Sequence, residues 1–148
     1  MIRVVDGDTV DVDINLGFGV WLKDERVRII GIDTPESRTS DKIEKLFGIV
    51  AKRKLRELLE NGAKLITIED NHGEDMKGKF GRILGDFRLP NGEKVTDILI
   101  KENYCVPYNG ESKDDLRSQH IANRFKLLER GVVNFETYNK IKIKFDTH

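Results

Sequence analysis

Val10-Asp11-Val12-Asp13-Ile14-Asn15-Leu16 alternates apolar and polar side chains without a break. A period of two puts the four apolar residues on one face of an extended strand, the pattern of a half-buried strand. Just upstream, after the short apolar pair Val4-Val5, Asp6-Gly7-Asp8-Thr9 sets a glycine between two aspartates, which marks a turn or bulge. Downstream, Gly17-Phe18-Gly19 reads as a turn and Val20-Trp21-Leu22 as a short returning strand. A third strand is expected over Arg26 to Ile32. It ends at Asp33-Thr34-Pro35-Glu36, where Pro35 disfavours further pairing. Strands separated by short turns predict an antiparallel meander.

Beyond the meander, residues 37–45 are polar and read as a loop. Residues 46–60 then show helical spacing, with Phe47, Val50, Ala51, Leu55, Leu58 and Leu59 sharing one broad face. Asn61-Gly62 closes this helix. A fourth strand is expected over 64–69, a polar turn over 71–79 and a fifth strand over 80–89. Thr96 is expected to cap a short helix carrying Ile98, Leu99 and Ile100. A last helix spans about 113–130, with Ile121, Phe125 and Leu128 on its buried side, and Gly131 stops it. Ile141, Ile143 and Phe145 alternate in the tail and suggest an added strand. Three strands, a helix, two strands and further helices make an α+β layout, that of the five-stranded OB-fold barrel. The expected division is one domain over 1–131 and a C-terminal extension over 132–148.

The totals constrain function. The 148 residues suit one domain. Twenty-six lysines and arginines balance 26 aspartates and glutamates. The chain therefore lacks the basic excess of a passive nucleic-acid binder, and any such contact must come from a local site. Cys105 is the single cysteine, so no intramolecular disulfide forms. No Cys/His spacing resembles a zinc site. No signal peptide or membrane span is read in the sequence. A cytoplasmic chain is expected, with secretion following if a leader had been removed.

The candidate chemistry lies at the ends of strands. Asp8 precedes the second strand and Asp33 closes the third. If these strands pair, two carboxylates meet, and with a backbone carbonyl and waters they form an oxygen site for Ca²⁺ or Mg²⁺. The plainer reading is that aspartate is common in turns. Arg28 interrupts the apolar run Val27-Arg28-Ile29-Ile30, so it either pairs structurally or aims at a phosphate. Glu36 either activates water or is a solvated loop residue. Arg82, in Lys79-Phe80-Gly81-Arg82, either stabilises charge at a pentacoordinate phosphate or is an exposed strand arginine.

Together, Asp6-Gly7-Asp8-Thr9, Arg28-Ile29-Ile30-Gly31-Ile32-Asp33-Thr34-Pro35-Glu36 and Phe80-Gly81-Arg82 resemble the staphylococcal-type thermonuclease family in order and spacing. The resemblance runs from about residue 1 to residue 130. It implies an OB-fold barrel with three helices and Ca²⁺-dependent cleavage of DNA and RNA, leaving a 3′-phosphate and a 5′-hydroxyl. It implies Asp8, Asp33 and the carbonyl of Thr34 as ligands of one Ca²⁺. It implies Arg28 and Arg82 as phosphate and transition-state contacts and Glu36 as water activator, with Lys79 and Tyr108 as substrate contacts. Gly78 stands where the family often has an acidic residue, and the first strand is shorter.

Other readings compete. A catalytically weak OB-fold module that binds nucleic acid or protein is the alternative function, disfavoured by retention of all five acidic and arginine residues. His72, His120 and His148 are scattered and assigned no role. Trp21 and Phe18 in the hairpin either stack a base or pack the hairpin, packing being favoured. The expected enzyme is a monomer that prefers single strands and makes no membrane contact.

Overall fold

A computed structural model describes residues 2–67 and 83–146, with side chains up to residue 142. The meander is present. Strand β1 (Ile2–Asp6) pairs antiparallel with β2 (Thr9–Gly17), and β2 with β3 (Val20–Ile29). Strand β3 is one unbroken element, so the two expected pieces Val20–Leu22 and Arg26–Ile32 merge and end earlier. A bulge absorbs the irregularity between them: the register shifts between Val12 and Ile14, and Asp24 has φ 52°.

A short β4 (Ile32–Asp33) follows, then helix α1 (Lys42–Leu59). The helix begins four residues before the expected start. The Asp41 side chain accepts from the Ile43 and Glu44 amides at 3.1 Å each and supplies the N-cap. Phe47, Gly48, Ala51, Leu55 and Leu59 are buried along one stripe. Strands β5 (Lys64–Thr67) and β6 (Ile83–Arg88) pair antiparallel, and β6 lies parallel to β3 with Val27 opposite Ile83. The sheet order is β1-β2-β3-β6-β5. This order, with the parallel β3–β6 pair and a helix between β3 and β5, is that of the OB-fold. Among the described residues no ladder joins β5 back to β1.

Inward side chains Val10, Val12, Val27, Ile29, Ile83 and Phe87 meet the α1 stripe and form the core. Burying each large apolar side chain contributes roughly 1.5–3 kcal/mol. Helix α2 (Val95–Lys101) follows β6. Thr96 does not cap it: its hydroxyl donates to Asp86 Oδ2 at 2.6 Å and ties the helix to β6.

Strand β7 (Val106–Pro107) pairs with β4, and helix α3 (Lys113–Glu129) lies near the expected bounds. Its buried side is not the expected one. Leu116 and Leu127 are buried, whereas Ile121 and Phe125 are exposed and Leu128 is only partly covered.

The tail is helix α4 (Phe135–Asp146) rather than an added strand. The Asn134 side chain accepts from the Glu136 amide at 2.8 Å and initiates the helix. Phe135, Tyr138 and Ile141 also fit a helical period. Tyr138 meets Phe47 edge-on, with ring centroids 6.3 Å apart, so α4 packs on α1. Among the described residues no helix is long and apolar enough to cross a membrane.

Candidate active site

One cavity of about 240 Å³ is lined by Asp6, Asp8, Asp33, Thr34, Pro35, Glu36 and Arg38. Four carboxylates against one guanidinium make it a cation-attracting hollow. The turn between β1 and β2 delivers Asp6 and Asp8, and β4 with the segment after it delivers the rest. The two pieces are held together by the backbone. The Ile29 amide donates to the Asp8 carbonyl at 2.7 Å, and β4 is fixed by the pairing of Asp33 with Val106.

Arg28 sits beside the cavity. Its Nη1 is 3.2 Å from Asp8 Oδ2, and it also donates to the carbonyl of Ile29. Thr9 Oγ1 donates to the other Asp8 oxygen at 2.9 Å. Asp8 is thereby fixed in orientation while retaining lone pairs on both oxygens.

Glu36 is placed by close packing. A Cβ built on Gly48 of α1 would lie 2.4 Å from the Glu36 carbonyl oxygen, so only glycine lets the helix approach this segment. Glu44, one turn earlier on α1, has its carboxyl held above the ordinary range. Burial is the main cause, with the charges of Glu36 and Asp41 adding to it.

Of the expected site residues, Asp8, Asp33, Thr34 and Glu36 line the cavity and Arg28 adjoins it. Tyr108 is about half exposed just after β7, and its amide donates to the Gly31 carbonyl at 3.0 Å, next to β4. Tyr104, by contrast, is a core residue under the side chains of Lys54 and Arg130. Arg82, Lys79 and Gly78 lie outside the described residues, as do His72 and His148.

Several residues in or around the site were not expected. Asp6 accepts from Ser37 Oγ at 2.5 Å and pairs with Arg38 at 3.3 Å, which staples the Glu36 segment to β1. The Asp6-Gly7-Asp8 motif already contained the signal for Asp6. His120 of α3 places Nε2 2.6 Å from Asp33 Oδ2. No local pattern around His120 announces this contact. Buried Cys105 lies behind the site: burial pushes its thiol well up, and the charges of Asp8 and Asp33 add to that. A thiol so placed is inert.

Among the described residues no three His, Cys, Asp or Glu side chains converge as a metal cage. The expected set needs only two side chains, Asp8 and Asp33, with a backbone carbonyl and waters. All are hard oxygen donors, which fit Ca²⁺ or Mg²⁺ in kind. A larger groove of about 420 Å³ between α3 and α4, lined by Phe125, Leu128, Phe135 and Tyr138 among others, gathers no such chemistry.

Known proteins similar to this chain include several nucleases. A family model described as staphylococcal nuclease homologue matches residues 26–128. Endonuclease YncB of Bacillus subtilis is 31% identical over 100 residues, covering 68% of this chain and 43% of that protein. Endonuclease YhcR of the same organism is 31% identical over 111 residues, covering 72% of this chain and 8% of that protein. The thermonuclease of Staphylococcus intermedius is 34% identical over 101 residues, covering 68% of this chain and 53% of that protein. The chain thus spans about half or less of the length of each.

Proposed function

Because this chain belongs to the staphylococcal nuclease family, we propose that it hydrolyses phosphodiester bonds of DNA and RNA in a reaction that depends on one Ca²⁺. The observation that carries this reading is the convergence of Asp8, Asp33, Thr34 and Glu36 on one cavity, with Arg28 paired to Asp8 beside it.

Asp8, Asp33 and the Thr34 carbonyl would hold the ion. When bound, it supplies positive charge against the phosphate oxygens. Arg28 turns part of its donor fork toward the same phosphate while Asp8 keeps the guanidinium in place. Glu36 accepts a hydrogen bond from the attacking water and orients it or takes its proton. The new P–O bond forms on the side opposite the 5′ oxygen. That oxygen leaves with the electron pair of the broken bond and is protonated to a 5′-hydroxyl, and the phosphate remains on the 3′ side. Arg82, outside the described residues, is assigned the second cationic contact, with Lys79 and Tyr108 as substrate contacts. The enzyme acts as a monomer and favours single strands, which adapt to a cavity at a strand end more readily than a duplex does.

The test is incubation with single-stranded DNA, RNA and duplex DNA, with Ca²⁺ or with chelator, followed by end-group analysis. Ca²⁺-dependent cleavage that is lost in Glu36→Gln is expected. No metal-dependent cleavage at high enzyme concentration would remove the proposal. Binding without turnover and without metal dependence would favour a nucleic-acid adaptor instead.

A further inference from the structure

The hairpin joining β2 and β3 extends well away from the cavity, and its outer face forms a continuous path back to Arg28. Residues directly opposite on paired strands share a face. Arg28 faces Thr9, Arg26 faces Asp11 and Trp21 faces Asn15. The bulge at Asp24 keeps the order, for Lys23 Nζ lies 3.6 Å from Asp13 on that same outer side. Arg28, Arg26, Lys23 and Trp21 therefore follow one another along β3, over roughly 20 Å at the rise of a strand.

The charges on this face are layered. The Asp11 and Asp13 side chains are 4% and 14% exposed, whereas those of Arg26 and Lys23 are 45% and 71% exposed. Arg3 also pairs with Asp11, so two guanidinium groups cover one carboxylate. Cationic heads meet solvent and the anions lie beneath. Exposed Asp24 on the bulge and Asp8 beside Arg28 offset the rest, so the strip is near neutral in sum with its cationic heads outermost.

Trp21 ends the path. It is 48% exposed, and Lys23 Nζ lies 5.3 Å from its ring centroid. Its cross-strand neighbour is the small polar Asn15, and about half of the indole stays open to solvent. A half-exposed indole with an ammonium over one ring face, continuous with the proposed phosphate-cleaving site, matches a single-strand binding surface.

We propose that this outer face is a docking strip for single-stranded nucleic acid beyond the scissile phosphate, with Trp21 stacking a base and Lys23 and Arg26 touching phosphates. The inference rests on the nuclease reading, and the experiment separates the two.

Trp21 is the one tryptophan of the chain, so its emission needs no label. The probe is oligothymidylate, added to the Glu36→Gln chain with Ca²⁺. Saturable quenching of Trp21 is expected. In anisotropy with fluorescein-labelled oligothymidylate, Trp21→Leu should bind about tenfold more weakly, within the range for one stacked base. Lys23→Gln should weaken binding less and lower its salt dependence. Circular dichroism of both variants should match that of the parent. Binding of the labelled strand with unchanged Trp21 emission, or with unchanged affinity in Trp21→Leu, would overturn the strip and leave the nuclease reading intact. No binding at all, together with no cleavage by the unaltered chain, would overturn both. An emission shift on anionic lipid vesicles but none with DNA would overturn the strip and assign the hairpin to a lipid surface.

Discussion

His120 Nε2 and Asp33 Oδ2 lie 2.6 Å apart, although the two residues are 87 positions apart in the chain. The contact fastens α3 to β4 and fixes the rotamer of a carboxylate that lines the cavity. Hydrogen-bonded partners of ligating carboxylates orient them, and their loss typically costs roughly 10- to 100-fold. His120→Leu is therefore expected to weaken Ca²⁺ affinity, measured by calorimetry, and to lower cleavage by about that factor. His120→Asn should restore part of both. Parental metal affinity in His120→Leu would show that Asp33 needs no such support.

Arg28→Met should lower kcat/KM by roughly 10²–10³, the loss seen when one preorganised donor is removed. It also leaves Asp8 without its cationic partner. Steady-state kinetics on a single-stranded oligonucleotide provides the measurement, and a rate within a factor of about two of the parent would exclude Arg28 from the reaction.

Gly48→Ala sets two effects against each other. Helix propensity gains about 1 kcal/mol. The new Cβ, however, would lie 2.4 Å from the backbone oxygen of Glu36, and overpacking of this kind costs about 1–3 kcal/mol. The clash should prevail. The Glu36 segment is expected to shift, with a loss of roughly tenfold or more in kcat and a lower melting temperature. A more stable and fully active variant would show that the segment yields freely.

Asp11 predicts the acid response of the sheet. Hydrogen bonding to Arg26, with help from Arg3 and against the cost of burial, lowers its carboxyl from 3.8 to about 2. A depressed folded-state pKa gives stability that is fully present above the unfolded value and lost as pH falls through the folded one. The window is thus about pH 4 down to pH 2, and the contribution is on the order of 2 kcal/mol. Urea unfolding at stepped pH should show this slope in the parent and a shallower one in Asp11→Asn.

Ending the chain at Gly131 removes buried Val133 and the contact of Tyr138 with Phe47. A stability loss of roughly 2–5 kcal/mol is expected, by analogy with truncation of buried side chains. Denaturant midpoints measure it. Equal midpoints would make α4 an appendage rather than part of the fold.

What the sequence discloses is mostly local. The alternation of Val10 to Leu16 and the α1 stripe are short-range periods, and both elements formed where they pointed. The early start of α1 was also readable, since Asp41 and Glu44 have the spacing of a capping box. Ile141, Ile143 and Phe145 alternate like a strand, yet the Asn134 cap and the packing of Tyr138 on Phe47 decide for helix. The face of α3 went astray because partners, not period, choose which stripe is covered. Asp8, Arg28, Asp33 and Glu36 could be picked out as a set because they stand at strand ends in a specific order. His120 could not, because its partner is set by how α3 docks on β4.

The 87-residue separation of Asp33 and His120 also bears on when the proposed site comes into being. During translation the aspartate leaves the ribosome long before the histidine has been synthesised. The nascent chain, surrounded by ribosomal and messenger RNA, lacks the imidazole that anchors Asp33 until then, so the cleavage proposed above would mature only after α3 has emerged.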